Sequence, residues 1–416
     1  MTAPLGILLI CLAAWLCSEN RAALPSWRWI LGALAMQFVL AFLILRVPLI
    51  WDALGLANLA VIAIERATLQ GSSYMFGYLG GADLPFALNQ GAQPPVIIAF
   101  QILPLVIVFS ALAAVFWHWG VLRAIVQGLS WALQKSLQVS GVVGLMGGAN
   151  LFLGVVEAPL AVRAYFDKVS RAELFAMMVL TMSTISGAIL VLYAQTLSAL
   201  IDNAVGHMIS ASLISLPAAL LLARLMVPAA ASETPSKADD TSLRYDSTID
   251  AIVTGTMDGM KLFLAVIAVI IVIFSLVALA DSALSLLPDI AGEPITIRRA
   301  FGWLFAPIMW LMGVPWADAD VAGRLMGTKA ILNEYVAYLE FAALPSEALA
   351  GRSQLITIYA LCGFANLASI GLLISTIATL APSRKAEVAQ LGIKSWLAGN
   401  GASLMTGAVA GLVSYA

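Results

Sequence analysis

The chain has 416 residues, of which 62% are hydrophobic and only 11% carry a charged side chain. Soluble domains carry about 25% charged residues, so this composition excludes an ordinary soluble fold and indicates a polytopic membrane protein. The formal net charge of -2, without any run of like charges, argues against a nucleic-acid partner. Cys11, Cys17 and Cys362 lie in apolar runs and are typical of small buried hydrophobic residues, not of a disulfide framework or a metal site.

Apolar runs of membrane-spanning length recur along the whole chain. The first is slightly short and resembles a signal peptide, but no Lys or Arg precedes it and further long runs follow, so it is interpreted as a span. Residues 52–92 mix charged residues with many glycines, which favours an interfacial helix followed by a loop. We predict eight spans, at about 5–17, 27–49, 95–117, 174–198, 206–226, 262–282, 355–381 and 393–415.

Two apolar segments are too interrupted to be simple lipid-facing helices. Residues 144–160 contain four glycines, Pro159 and Glu157, and residues of about 300–342 contain two prolines, several glycines and Glu334. Backbone groups freed by such breaks must be satisfied by protein or by water in a cavity, so both segments predict re-entrant hairpins. The predicted fold class is therefore all-α, with about eight transmembrane helices, two re-entrant helical hairpins and interfacial helices.

The same order of elements occurs twice, because each interrupted segment is followed by a span with polar residues, 180–190 and 362–380. An internal repeat of this inverted type indicates a transporter with its substrate site near the bilayer midplane. Most Lys and Arg fall on segments that are cytoplasmic if both termini lie outside, which predicts that orientation in the cell membrane. The predicted parts are 1–92 (N-terminal spans and interfacial helix, a scaffold part), 93–200 (third span, first hairpin, following span) and 201–416 (C-terminal half, with a cytoplasmic loop at 227–260, the second hairpin and the last two spans).

Glu157 and Glu334 are the strongest functional candidates, because a carboxylate at membrane depth costs at least about 2.5 kcal/mol without a partner or a function. An ionised carboxylate only accepts hydrogen bonds, so it suits a ligand rich in hydroxyl or N–H groups. The alternative is that each lies shallower or simply pairs with a cation such as Lys329. Asn366 and Ser369 share one helix face and offer an amide and a hydroxyl, although such residues also join helices to each other in membrane bundles.

Oxygen ligands for a hard cation are concentrated in the first half. These are Asn150 and the hydroxyls of Thr181, Ser183, Thr184 and Ser186, beside predicted helix ends; taken singly, each hydroxyl is more typical of packing. Phosphate-loop, HExxH and CxxC motifs are missing from the sequence, and no Ser-His-Asp arrangement is indicated. We therefore predict neither an enzyme nor a cofactor, other than a coupling ion.

Four blocks of the sequence resemble the concentrative nucleoside transporter family in its shorter bacterial form, and together they cover most of the chain in order. The resemblance implies a homotrimer of eight-span protomers, each with a scaffold part and a mobile transport part. The blocks are GGANLFLGVVEAPL at 147–160, GRLMGTKAILNEYVAYLEF at 323–341, ALCGFANLASIGLLISTIATLAPSRK at 360–385 and GIKSWLAGNGASLMTGAVAGL at 392–412.

The resemblance also implies two sets of site residues. Ribose contacts would fall to Glu334, Phe364, Asn366 and Ser369, and the base side to Glu157 with Val155, Val156 and Ile189. A sodium ion would take its ligands from Asn150, the Leu153 carbonyl, Thr184 and the Ile185 carbonyl. The chain departs from the family at Val155-Val156, where many members carry a polar pair.

The two valines predict shallow discrimination between bases, because apolar contacts cannot penalise a mismatched base by leaving polar groups unpaired. They also place Glu157 in a less polar setting. A proton is therefore an alternative to sodium as the coupling ion. The predicted function is a secondary active transporter that imports nucleosides by symport with elevator-like alternating access. The alternatives are a carrier for another polyhydroxylated or nucleoside-like solute, and a membrane sensor or gating module that binds nucleosides without accumulating them.

Overall fold

A computed structural model shows an all-helical chain, which confirms the predicted fold class. The structure describes residues 2–87, 95–155, 157–198, 200–229, 243–290, 292, 294–345 and 347–414. The α-helices within these residues are α1 Ala3–Leu16, α2 Trp27–Arg46, α3 Pro48–Phe76, α4 Ile98–Gln101, α5 Pro104–His118, α6 Val121–Leu137, α7 Gly141–Asn150, α8 Glu157–Ala161, α9 Arg171–Ser183, α10 Gly187–Leu197, α11 Ala204–Met226, α12 Thr248–Leu284, α13 Ile297–Leu311, α14 Trp316–Ile331, α15 Glu334–Ala342, α16 Gly351–Leu361, α17 Leu367–Leu380 and α18 Lys385–Ser414.

Five of the eight predicted spans coincide with helices that are long and apolar enough to cross a membrane: α2, α4 with α5, α9 with α10, α11 and α12. The other three are the 14-residue apolar helix α1, the broken pair α16 and α17, and the long helix α18. One difference lies in the segment 52–92, of which residues 88–92 are outside the described residues. Instead of an interfacial helix followed by a loop, α3 is one helix of 29 residues, and with the 3-10 turn that follows it is also long and apolar enough to cross a membrane. Its charged residues are spaced along the helix and do not interrupt it.

The helices form a buried centre and a more exposed periphery. In an apolar 18-residue stretch of each span, 94% of the residues are buried in α9 with α10 and 83% are buried in α11. In α12 the buried share is only 6%. The peripheral helices α5 and α12 pack closely because α12 carries Gly255 and Gly259. A Cβ atom at either position would lie within 2.8 Å of the α5 backbone. This small-xxx-small spacing is typical of close helix pairs in membranes.

Two spans of the buried centre are broken, and their breaks cross. The first break separates α9 from α10 at residues 184–186, and the second separates α16 from α17 at residues 362–366. The N–H of Phe364 donates to the carbonyl oxygen of Thr184 at 3.2 Å, so the two breaks contact each other through the backbone. The two halves of the predicted repeat therefore meet at the breaks in the spans that follow the hairpins.

Side chains of neighbouring helices satisfy the carbonyl groups that the breaks release. Ser215 Oγ on α11 donates to the Ser183 carbonyl at 2.9 Å. From α18, Asn400 Nδ2 donates to the Ala365 carbonyl at 2.9 Å and Ser403 Oγ to the Cys362 carbonyl at 3.3 Å. Without water in the bilayer core each unsatisfied group would cost several kcal/mol, so these polar residues make the breaks stable.

Both predicted hairpins are present. In the first, α7 and α8 are joined by a turn, and Ser140 caps α7 by accepting from the Val143 N–H. The second is more divided than predicted, because α13 meets α14 at 120° and a further break at residues 332–333 separates α14 from α15. Asn333 caps α15 by accepting from the Val336 N–H at 2.8 Å.

An ion-pair network joins the loop after α1 to the centre of the molecule. Glu19 pairs with Arg171 at the start of α9 at 2.8 Å and with Lys394 on α18 at 2.9 Å, and Arg171 also reaches Glu387 at 3.4 Å. Hydrogen bonding from Arg171, supported by Lys394, lowers the pKa of Glu19 to about 2. The carboxylate therefore stabilises the fold above its unfolded pKa of about 4.3, and this contribution is lost as pH falls towards 2.

We expect Glu19→Gln to lower the melting temperature of the purified protein by roughly 1–2 °C at pH 7, because partly exposed pairs contribute about 1 kcal/mol or less. The difference from wild type should shrink in high salt and as pH falls below about 4. Glu347→Gln is the matched control, since Glu347 is exposed and forms no ion pair within the described residues. A loss equal to that of the control would contradict a stabilising role for the network.

Candidate functional site

Glu334 lies at the crossing of the two breaks with both carboxylate oxygens hydrogen-bonded. Its side chain is 4% exposed at the first position of α15. Tyr193 Oη on α10 donates to Oε1 at 2.6 Å, and Asn366 Nδ2 at the second break donates to Oε2 at 2.8 Å. Hydrogen bonds to an ionised acceptor are roughly twice as strong as neutral ones. The carboxylate thus joins one helix of the first half to two segments of the second.

The predicted ribose set is brought together at this point. Asn366 caps α17, and its Oδ1 accepts from the backbone N–H of Ser369 at 2.8 Å. That bond fixes the amide so that Nδ2 faces Glu334. Ser369 and Phe364 lie close by in sequence and are 8% and 9% exposed. Asn366 contacts the Ser369 backbone, and the Ser369 hydroxyl forms no hydrogen bond with any of the described residues.

Tyr193 was missed by the sequence analysis. It lies in the apolar helix α10 and is 2% exposed. Its ring stacks on Tyr335 with centroids 5.8 Å apart and tilts against Tyr338 at 4.9 Å. A buried tyrosine hydroxyl needs a partner, which is the one signal that could have marked it, but the partner is 141 residues away.

Lys329 does not form an ion pair with Glu334. Its ammonium group, fully buried near the end of α14, donates to Asn400 Oδ1 at 2.8 Å, and within the described residues it has no carboxylate oxygen within 4.0 Å. Asn400 in turn donates to the Ala365 carbonyl beside Asn366. The alternative that Glu334 merely pairs with Lys329 therefore does not describe this structure, although the two opposite charges still interact at longer range.

The other predicted carboxylate, Glu157, lies apart from Glu334. At the start of α8 it borders a small cavity of about 40 Å³ that Tyr245, Asp258 and Ser186 also line, so it faces the peripheral helices. A Cβ atom at Gly154 would meet Glu157 Oε2, the far end of a flexible side chain, so a substitution there would displace the glutamate. The Ser186 hydroxyl is buried without a hydrogen-bond partner in the described structure.

The remaining residues predicted on the base side are apolar. Val155 is 8% exposed in the hairpin turn, and Val156 lies outside the described residues. Ile189 is 5% exposed on α10, one helical turn before Tyr193, so the two share a helix face.

The predicted cation ligands are gathered where the first hairpin meets the first break. Asn150 Nδ2 donates to Thr181 Oγ1 at 3.1 Å, and the Gly187 N–H donates to the Phe152 carbonyl at 3.3 Å. These contacts bring Leu153, in the hairpin turn, and Ile185, in the break, to the same region, and both are buried. Thr184 Oγ1 donates to the Leu180 carbonyl at 2.9 Å, which leaves its oxygen free to accept from or coordinate a ligand. The available donors are neutral oxygens, which suit a hard monovalent cation.

Two hairpins, two crossed broken helices and a buried carboxylate at the crossing are typical of membrane transporters. Family models agree with this architecture. The model described as Na+ dependent nucleoside transporter C-terminus matches residues 207–411, its N-terminal counterpart matches residues 5–79, and a model described as "Gate: Nucleoside recognition" matches residues 99–200.

Full-length relatives support the same assignment. An uncharacterized transporter of Haemophilus influenzae is 36% identical, with 99% of this chain and 97% of that protein covered. The nucleoside permease NupC of Helicobacter pylori is 30% identical, with 98% and 96% covered. The structure of CNTnw in an inward-facing substrate-bound state is 32% identical with a TM-score of 0.88 and covers 100% of this chain and 97% of that one. A variant of CNTnw in an outward-facing state gives a TM-score of 0.87 at 31% identity, with 100% and 97% covered.

The chain belongs to the concentrative nucleoside transporter family. It is a multi-pass membrane protein of a transporter family and not an enzyme.

The Lys329–Asn400 contact predicts a specific pattern of stability. Asn400→Ala should destabilise the protein by about 1–3 kcal/mol, because it leaves a buried ammonium group without its hydrogen-bond partner. Lys329→Met removes the charge, so adding it to Asn400→Ala should recover part of the loss. Thermal unfolding of the four proteins of this double-mutant cycle measures the coupling. Strictly additive losses would show that the two side chains do not stabilise each other.

Proposed function

We propose that the protein imports nucleosides by symport with a cation and that Glu334 binds the sugar. The observation that carries the proposal is the buried Glu334 carboxylate, held by Tyr193 and Asn366 at the crossing of the two breaks. A carboxylate offers about four lone-pair positions, and Tyr193, Asn366 and the backbone N–H of Glu334 itself occupy about three of them. The remaining acceptor capacity suits a ribose hydroxyl, and the hydroxyl of Ser369 and the ring of Phe364 complete the sugar side.

The base would lie on the apolar side formed by Val155, Val156 and Ile189, with Glu157 as a polar contact. Apolar contacts discriminate between ligands by only about 1–3 kcal/mol per small group. We therefore infer broad base specificity, with the sugar as the main recognition element. Because Glu157 faces α12 in this state, its contact with a base would require the hairpin to move relative to the periphery.

Sodium is the coupling ion that the neutral oxygen set favours. In this proposal Asn150 and Thr184 supply side-chain oxygens, and Leu153 and Ile185 supply carbonyl oxygens. The site lies at the first break, which contacts the second break through Phe364. The family model that matches residues 207–411 is described as Na+ dependent, which supports sodium. A proton carried by Glu157 is the competing coupling mechanism.

Transport would proceed by movement of the buried centre against the periphery. The α5–α12 pair would form the fixed scaffold, and the hairpins with the broken helices would form the moving part. The inward-facing and outward-facing structures of CNTnw support alternating access in such a fold. A ligand shifts such an equilibrium only through its differential affinity for the two states. A homotrimer in the cell membrane with both termini outside is part of the same proposal.

Glu334→Gln should reduce nucleoside uptake at least about a hundredfold, because the amide loses the charge and presents an NH₂ group to donors that need an acceptor. Glu340→Gln is the matched control in the same helix, since its carboxylate pairs with Arg298 and Thr328 and not with the site. Radiolabelled uptake into proteoliposomes measures both. Near-normal uptake by Glu334→Gln would remove Glu334 from the site, and wild-type binding without accumulation would indicate a sensor.

Sodium coupling predicts that nucleoside affinity rises with sodium concentration at fixed pH, because linkage between two bound ligands is reciprocal. Thr184→Val should flatten this dependence, since it removes one oxygen ligand and keeps the side-chain shape. Thr256→Val is the control, because the Thr256 hydroxyl on α12 donates to the Ile252 carbonyl of its own helix. Affinity that ignores sodium but changes with pH would reject sodium in favour of a proton.

A further inference from the structure

The Tyr193 hydroxyl donates a hydrogen bond to Oε1 of Glu334. Without it, this oxygen would need a hydroxyl of the substrate as its donor. We propose that Tyr193 is a specificity-determining residue, which keeps this oxygen paired whether or not the sugar offers a hydroxyl to it. The transporter then tolerates a monodeoxynucleoside that lacks the hydroxyl facing Oε1. This inference rests on the proposed function, because it requires Glu334 to bind the sugar.

The phenol ring is held too firmly to be displaced by a substrate. It lies between Tyr335, stacked at an interplanar angle of 13°, and Tyr338, whose own hydroxyl donates to the Ile358 carbonyl at 2.9 Å. Tyr193 and Tyr338 are 2% and 0% exposed, so neither ring has solvent into which it could rotate. The substrate therefore shares Glu334 with the phenol and does not replace it.

Counting acceptor positions gives the consequence for specificity. Each carboxylate oxygen accepts about two hydrogen bonds, and side chains supply one donor to Oε1 through Tyr193 and one to Oε2 through Asn366. The backbone N–H of Glu334 itself also donates to the carboxylate, so a ribose hydroxyl would share it with several protein donors. When one hydroxyl is missing, the oxygen it would have faced keeps its protein donor.

A site rejects an analogue strongly only when the analogue leaves a buried polar group of the site unpaired. With Tyr193 present, loss of the hydroxyl facing Oε1 does not create such a group. In Tyr193→Phe that oxygen loses its side-chain donor, so the missing substrate hydroxyl leaves it under-satisfied. Removal of the phenol oxygen should therefore increase discrimination against one monodeoxy form, which is the reverse of what general loosening of the site would cause.

The test compares competition by a ribonucleoside and its 2′-deoxy and 3′-deoxy forms in wild type, Tyr193→Phe and Tyr335→Phe, measured as inhibition of radiolabelled uptake into proteoliposomes. The ratio of inhibition constants within one variant is independent of expression and of maximal rate. Tyr335→Phe is the matched control, because the ring is kept and its hydroxyl, which lies beside Thr196, is not among the donors to Glu334. We expect the ratio for one deoxy form to rise roughly tenfold in Tyr193→Phe and to change less than about threefold in the control.

Equal ratios in wild type and Tyr193→Phe would overturn the inference. Wild type alone also decides it if the variant fails to fold: at least one monodeoxy form should compete within roughly tenfold of the ribonucleoside, and a larger penalty for both forms would overturn the inference. Neither result is confused with failure of the proposed function, in which no ribonucleoside would compete or accumulate in wild type.

Discussion

Satisfying freed backbone groups away from water is the constraint on which the rest of the structure depends. Each broken helix releases N–H and C=O groups that the bilayer core cannot hydrogen-bond. Ser215, Asn400 and Ser403 pair with the carbonyls around the breaks, and the breaks also pair with each other from Phe364 to Thr184. The breaks can therefore exist only where the two halves cross, and that crossing is where the polar site is built.

The site follows from this arrangement because the groups that cap the breaks also hold its charges. Asn366 caps α17 with its oxygen and binds Glu334 with its nitrogen. Asn400 accepts a hydrogen bond from Lys329 with its oxygen and donates one to the Ala365 carbonyl with its nitrogen. Each amide thus links one charge on the second hairpin to one end of the same break. Two asparagine side chains therefore hold the second hairpin to the second break.

Sequence reasoning predicted the features that break a local rule. Glycines and prolines marked the hairpins, and a carboxylate in an apolar segment marked Glu334, because both are costly without a structural or functional reason. Tyr193 and Asn400 break no such rule. A tyrosine in an apolar helix and an asparagine in a long helix resemble ordinary packing residues, and their partners lie 141 and 71 residues away in sequence. The continuous α3 was missed because scattered charges and glycines were interpreted as an interfacial helix followed by a loop.

A structure of the protein with a bound ribonucleoside tests the central claim most directly. The account predicts that a ribose hydroxyl lies within about 2.6–3.2 Å of the Glu334 carboxylate, with Tyr193 and Asn366 still donating to that carboxylate. A nucleoside bound elsewhere, with Glu334 contacting only Tyr193 and Asn366, would contradict it.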